Sequence, residues 1–376
     1  MMKTLFRNFI ELHRGYDLPK NKRISGDFPI VSSTGIVGKH NSYKVKGPGV
    51  ITGRSGTIGK VIFEKGCFWP LNTTLFVSDF KGNDPKYVYY WLQCFDLKHY
   101  TTGSTVPTLN RNDLSNLIID VPTIDEQRKR REILEILDAK IATNIEISQQ
   151  LESMAKTIYD YWFLQFEFPD KDGKPYKSNG GKMIWNDQLK REIPKGWEVK
   201  SIFECADVQY GKPLSTKLFS KKGIPVIRIR DIDTLSNSAY TQENIENKYL
   251  SKSGDLLIGM DGNFQMNFWP RNNDCVNQRI VRIRKGIIPL LLIKFQIKPY
   301  IDRKVSSVAR STVGHLKDND IKELKILLPS TDQLDLTIFD TFLQKIITIE
   351  NESQQLKSLR DFLLPMLMNG QVSISD

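Results

Sequence analysis

The sequence predicts an α+β chain of two mainly β modules, each followed by a long helix. The two helices are expected to pair antiparallel as a coiled coil, with the whole chain forming a pseudo-twofold internal repeat. Three observations carry this expectation. The chain says the same thing twice, about 206 residues apart; each copy ends in a heptad-spaced stretch without glycine; and the positive charge is concentrated in the parts before those stretches. The expected divisions are a first module at 1–122, a long helix at 123–165, a linker and second module at 166–329, a second long helix at 330–370 and a tail at 371–376.

The repeat is visible as matched short strings. Ser148–Leu151 and Ser353–Leu356 both read SQQL, and Ser104-Thr105-Val106 matches Ser311-Thr312-Val313. Leu109 and Leu316, Asn112-Asp113 and Asn319-Asp320, and Pro122 and Pro329 follow in the same order. Further upstream, Gly53-x-x-Gly56 aligns with Gly259-x-x-Gly262, and Phe28–Val31 with Ile224–Ile227 at a shorter offset. A period this long denotes two copies of a whole domain, not a solenoid of small units.

Each module closes at a proline followed by a helix-start pattern. Thr123-Ile-Asp-Glu126 and Ser330-Thr-Asp-Gln333 fit the capping box, in which a hydroxyl and a Glu/Gln side chain satisfy free N–H groups at a helix start. The stripe that follows runs Leu134, Leu137, Ile141, Asn144, Ser148, Leu151, Ala155, Ile158, Trp162 in the first helix. In the second it runs Phe339, Phe342, Ile346, Ile349, Ser353, Leu356, Arg360, Leu363, Leu367, each 205 residues from its counterpart. About 40 residues at 1.5 Å rise make a helix on the order of 60 Å long. A stripe of that length calls for a like partner, and the other helix of the same chain supplies one.

The net charge of +11 is unevenly spread. Residues 1–122 carry 16 Lys/Arg against 9 Asp/Glu, and 166–329 carry 29 against 19, whereas 123–165 and 330–376 are net acidic. Basic modules are the electrostatic footprint of a phosphate-backbone binder, with a lysine-rich solvated surface as the plain alternative. A signal peptide is not expected, because Arg7 and Asn8 break the apolar start. Nor is a membrane span, since the longest apolar run, Ile287–Ile293, contains Pro289 and stops at Lys294. Cys67, Cys94, Cys205 and Cys275 lack metal or redox spacing and read as buried free thiols of a cytoplasmic protein.

Three patterns could indicate chemistry. Gly53-Arg-Ser-Gly56-Thr-Ile-Gly59-Lys60 fails as a Walker loop, because five residues separate its outer glycines and Val61 follows the lysine. Asp170, Glu198 and Lys200 can be strung into a loose PD…ExK pattern, which leaves an autonomous Mg²⁺-dependent nuclease as an alternative function; a basic scaffold without sequence preference is another. The chain has no Asn/Asp-Pro-Pro-aromatic motif and no turn suited to S-adenosylmethionine, and its four histidines are far apart. The expectation is a non-catalytic chain with no metal and no cofactor of its own.

Three junction strings stand out: L-N-x-x-D-L-x-x-L-x-I-x-V-P-x-x-x-E-Q from Leu109 to Gln127, I-P-x-G-W at Ile193–Trp197, and L-L-P-M-L-M-N-G at Leu363–Gly370. In this order, with the repeat, they resemble the specificity (S) subunit of type I restriction–modification systems over essentially the whole chain. The resemblance implies that each module is a target-recognition domain reading one half of a split double-stranded DNA site. It implies that the helices set the gap and dock two methyltransferase (M) subunits, with restriction (R) subunits joining them. S-adenosylmethionine, ATP and Mg²⁺ would then reside on those partners. The chain departs from the pattern after Gln333, where Glu126-Gln127-Arg128 is not reproduced.

Base readers need side chains on loops that let the backbone approach phosphates. In the first module the candidates are Arg54, Ser55 and Lys60 on a glycine-flanked turn, and Ser104 and Thr105 in a Thr/Ser/Gly loop. In the second they are Asp261, Asn263 and Gln265 on the matching turn, with Arg310, Ser311, Thr312 and His315. Arg228 and Arg230 alternate with Ile227 and Ile229, which predicts that both arginines project from one face of a strand. The residues expected to pair the helices or dock partners are Leu134, Leu137, Ile141, Leu151, Ile158, Trp162, Phe339, Phe342, Ile346, Leu356, Leu363 and Leu367.

Overall fold

The computed structural model describes residues 1–103, 107–307, 314–330 and 334–372. It divides into two compact units: Met1–Ile141 with Leu356–Asp376, and Ala142–Gln355. Each unit is an α+β assembly, and the repeat read from short strings extends to nearly every secondary-structure element.

The first unit is built on a four-stranded antiparallel sheet in the order Glu11–Arg14, Thr74–Asp79, Gly49–Gly53, Val61–Glu64. Gly49–Gly53 is buried throughout, Thr52 included, as the central strand of a sheet covered on both faces. A smaller sheet pairs Phe28–Ser32 in parallel with Trp69–Pro70. Met2–Leu5 pairs with Ile118–Val121, so the module's first strand joins its last. The core packs Phe6, Phe9, Tyr87, Trp91 and Leu114 with Leu134 of the first long helix and Leu367 and Met368 of the second.

The second unit repeats this order. Its antiparallel sheet runs Asp207–Tyr210, Ile280–Arg284, Leu256–Gly259, Met266–Phe268. Ile224–Ile227 lies parallel to Cys275–Val276, and Glu198–Ser201 pairs with Lys325–Leu328. Gly15 and Gly211 show why the repeat keeps glycine at matched points. A Cβ on Gly15 would lie 2.1 Å from Leu71 O, and one on Gly211 2.0 Å from Asn277 O, at equivalent parallel bridges. The Ile193–Trp197 string also has a packing reason: Trp197 is 3% exposed, with Phe163, Phe166 and Phe168 at ring distances of 5.1, 5.7 and 5.0 Å.

The first long helix spans Ile124–Tyr159 and continues as a π-helical turn over Asp160–Leu164. Its capping box forms as predicted: Thr123 N donates to Glu126 Oε2 at 3.2 Å, and Glu126 N to Thr123 Oγ1 at 3.4 Å. Gln127 is buried and ties the helix start to its module, accepting from Asp84 N and donating to Asn83 Oδ1 and Pro122 O. The second long helix, Thr337–Met368, begins later than the expected cap at Ser330. Asp335 serves there instead, its Oδ1 accepting from Thr337 N at 2.8 Å. Residues 331–333 of the expected box lie outside the described residues.

The helices pair antiparallel within each unit. In the first unit Arg130 Nη1 donates to Leu367 O, and Arg360 Nη1 to Asp138 Oδ1. In the second, Trp162 meets Phe339 edge-on at 5.9 Å. Leu134, Ile141, Ala155, Phe339 and Leu367 of the predicted stripes are buried, and Leu137, Leu151, Ile158, Trp162, Leu356 and Leu363 are half-buried. In the second helix the next buried positions along the chain after Phe339 are Leu343 and Ile347, one residue beyond the expected Phe342 and Ile346. The seam therefore follows the four-residue step from Phe339, and Phe342 and Ile346 flank it half-exposed. No helix among the described residues is long and apolar enough to cross a membrane. Of the four free cysteines, Cys205 and Cys275 are buried, whereas Cys67 and Cys94 are half-buried.

Candidate nucleic-acid interface

In the first module the central strand ends at Gly53, where a Cβ would sit 1.8 Å from Thr57 O, and the turn needs Gly56 at φ +82°. The turn is laced to two neighbouring segments. Arg54 N and Ser55 N donate to Thr73 O, Gly56 N donates to Pro107 O, and Leu109 N donates to Arg54 O. The predicted glycine turn and the end of the predicted Thr/Ser loop are thus brought together, with Ser55 bridged to Thr108. Arg54 is half-buried and donates from Nε to Asn72 O at 2.9 Å. Lys60 is exposed, but its Nζ is held on Thr34 O at 2.6 Å. Ser104 and Thr105 lie outside the described residues.

The second module uses counterpart residues for the same lacing. Met260 N donates to Arg279 O, Gly262 N to Gly314 O, and Leu316 N to Met260 O, with Asp261 bridged to His315. Gly262 has φ +76°, matching Gly56. The side chains differ completely. Asp261 accepts from Arg279 Nε at 2.8 Å and Nη2 at 2.5 Å, and its Oδ1 lies 2.7 Å from His315 Nδ1. The Arg279 guanidinium, helped by the His315 contact, holds the Asp261 carboxyl down at about 2 against the opposing effect of partial burial. Asn263 is exposed, and Gln265 Oε1 is buried without a partner. Arg310, Ser311 and Thr312 lie outside the described residues.

Arg228 and Arg230 do not project from a strand, because the strand stops at Ile227. Arg228 turns back on Asp231, donating from Nε and Nη2 at 2.9 and 3.0 Å while its backbone N–H meets the same carboxylate. That closes a tight turn and makes Arg228 a structural residue. Arg230 is exposed, with no partner among the described residues. Arg279, which the structure places on Asp261, is absent from the sequence-predicted candidates. The residues around it, Asn277-Gln278-Arg279, carry no local signature, and only its alignment with Thr73 opposite the glycine turn marks the position.

The nuclease-like string is dispersed into local roles. The Asp170 carboxylate accepts from Asp172 N, Lys174 N and Asn179 Nδ2, each at 2.9 Å, which holds it below the usual carboxylate range and fixes a hairpin turn. Glu198 pairs with Lys200 at 3.1 Å. Among the described residues no group of His, Cys, Asp and Glu is placed to hold a metal ion.

The two laced turns sit within stretches that match a family profile. The profile of the type I restriction modification DNA specificity domain matches residues 7–153 and 194–358, once per module. The chain belongs to this family. It is 28% identical to the MjaIX specificity subunit of Methanocaldococcus jannaschii over 360 residues, covering 88% of this chain and 79% of that protein. It is 22% identical to the HindI specificity subunit of Haemophilus influenzae, covering 72% of each. The crystal structure of a type I restriction–modification S subunit from M. genitalium covers 100% of this chain with a TM-score of 0.57 at 15% identity, a likeness of fold. As a type I specificity subunit the chain is a DNA-recognition component and not an enzyme, which sets aside the nuclease alternative.

Proposed function

We propose that each module of this specificity subunit reads one half of a split double-stranded DNA target, and that the long helices set the unspecified gap between the halves. The observation that carries this reading is the pair of laced glycine turns. Three of their backbone hydrogen bonds recur at matched positions, while the side chains they present, Arg54-Ser55 against Met260-Asp261 with Arg279 and His315, differ. One scaffold with two sets of polar groups is the arrangement expected of two readers with different sequences to read.

The helices have a second role in this reading. Leu134, Ile141, Phe339 and Leu367 are taken up by packing, while Ile136, Met154 and Phe362 remain 69%, 56% and 63% exposed. Such apolar outward positions suit the docking of two methyltransferase subunits, to which restriction subunits add. S-adenosylmethionine, ATP and Mg²⁺ belong to those partners, and the assembly works in a prokaryotic cytoplasm. The test is selection from a random duplex pool by the chain with its co-expressed methyltransferase subunits. Two short motifs at a fixed gap are expected; one contiguous motif, or none, would overturn the reading.

A further inference from the structure

We infer that Arg279 is a base-reading residue of the second module and that the base it reads is guanine, an inference that rests on the DNA-recognition reading above. Arg279 leaves the turn just before strand Ile280–Arg284 and meets Asp261 of the glycine turn through Nε and Nη2. A guanidinium carries five N–H donors in a rigid fork. Asp261 occupies the Nε–Nη2 side, so the Nη1 donors and the outer Nη2 donor face away from it. That free edge is the one that spans the O6 and N7 acceptors of guanine in the major groove. Adenine offers N7 beside an amino donor and cannot satisfy it.

The surroundings favour a base over a phosphate. The Asp261 carboxylate offsets the charge of Arg279, which weakens its attraction for the DNA backbone but leaves its directional donors intact. Arg279 keeps 43% of its side chain exposed, and His315, which meets the same Asp261 Oδ1 as Arg279 Nη2, keeps 61%. Both border a shallow depression with Gln278 and Lys317. The acid-held Arg228, Arg271, Arg282 and Arg284 of the module are less exposed, at 15%, 31%, 2% and 20%. Asp261 is then a positioning residue. It fixes the Arg279 rotamer before binding, so less side-chain entropy is lost when the base is met.

The experiment compares the chain, Arg279→Ala and Asp261→Asn, each with co-expressed methyltransferase subunits, first by random-duplex selection and then on the selected duplex with single guanines replaced by 7-deazaguanine. The unmodified chain should lose affinity about tenfold or more at one guanine of one half-site when its N7 is removed. Arg279→Ala should lose the guanine preference there and be indifferent to the replacement. It should still read the other half-site normally, and its thermal melting should match that of the unmodified chain, which reports that the second module is folded. Asp261→Asn should relax discrimination several-fold at the same base pair, a change that a purely structural role would not confine to one position. Uniform weakening on all sequences, or a guanine preference that survives in Arg279→Ala, would overturn the inference. A split motif indifferent to Arg279 removes only this inference, whereas no split motif from the unmodified chain removes the DNA-recognition reading with it.

Discussion

Asn144 of the first long helix donates from Nδ2 to Glu352 Oε2 of the second at 2.8 Å, and Asn144 is only 1% exposed. Ser353 beside it is equally buried, and Ser148 Oγ is buried without a partner. The seam is therefore polar at this level, where an apolar residue would pack with less cost. Buried polar residues in a helical seam fix register, because any slip leaves them facing apolar neighbours.

Asn144→Asp places a second carboxylate against Glu352 in that seam. The variant should be destabilised by roughly 2–4 kcal/mol at neutral pH. Like charges raise the carboxyl pKa, so the penalty is present above that raised value and disappears below it. Urea unfolding at pH 7 and pH 4 checks this: the deficit should shrink at the lower pH.

Gly211→Ala forces a methyl group to within 2.0 Å of Asn277 O, so the parallel bridge beneath it must open. A loss of about 2 kcal/mol or more is expected. Gly66 provides the control, since its nearest atom is Glu64 Oε1 at 3.9 Å. Gly66→Ala should change stability by no more than about 0.5 kcal/mol in the same melting experiment.

Arg54 is anchored through Nε to Asn72 O, which leaves the far end of its guanidinium for an outside partner. Arg54→Ala should weaken recognition of one half-site by about 1–3 kcal/mol and leave the other untouched. Competition between duplexes altered in one half-site at a time measures it. Equal loss on both would make Arg54 a phosphate or packing residue.

Asp261, whose carboxyl is held at about 2, contributes stability that is fully present above the ordinary carboxylate range and is lost as pH falls from about 4 to about 2. With its side chain 26% exposed, solvent screening limits the contribution to about 1–2 kcal/mol. The stability difference between the unmodified chain and Asp261→Asn should accordingly be largest at pH 6 and close towards pH 2.

Backbone demands were legible in the sequence where only one residue type meets them. Gly56 and Gly262 share a positive φ, and Gly15 and Gly211 share a close approach, so the repeat kept glycine and could be seen. The first helix start was equally plain, because Thr123 and Glu126 satisfy each other locally. What could not be read depends on partners distant in sequence or on competing local ones. Arg228-Ile229-Arg230 imitates strand alternation, yet Asp231 captures Arg228 and ends the strand, so that acid was the neglected signal. Arg282 and Arg284 look like an exposed polar face, but 2% and 20% exposure of their side chains puts them inside, balanced by Asp207 and Asp255. The Arg279–Asp261 pair joins residues 18 apart across two turns, and nothing in either turn alone announces it.

The second unit is one uninterrupted stretch, Ala142–Gln355, while the first is assembled from both ends of the chain. Its core requires Leu367 and Met368, 2% and 1% exposed, and Arg130 needs the Leu367 carbonyl. During synthesis the first module therefore emerges before the second long helix and waits, incompletely covered, until that helix has been made. The later-made unit can finish first, and a nascent chain stalled before Leu363 exposes the apolar face that Leu367 and Met368 would have closed.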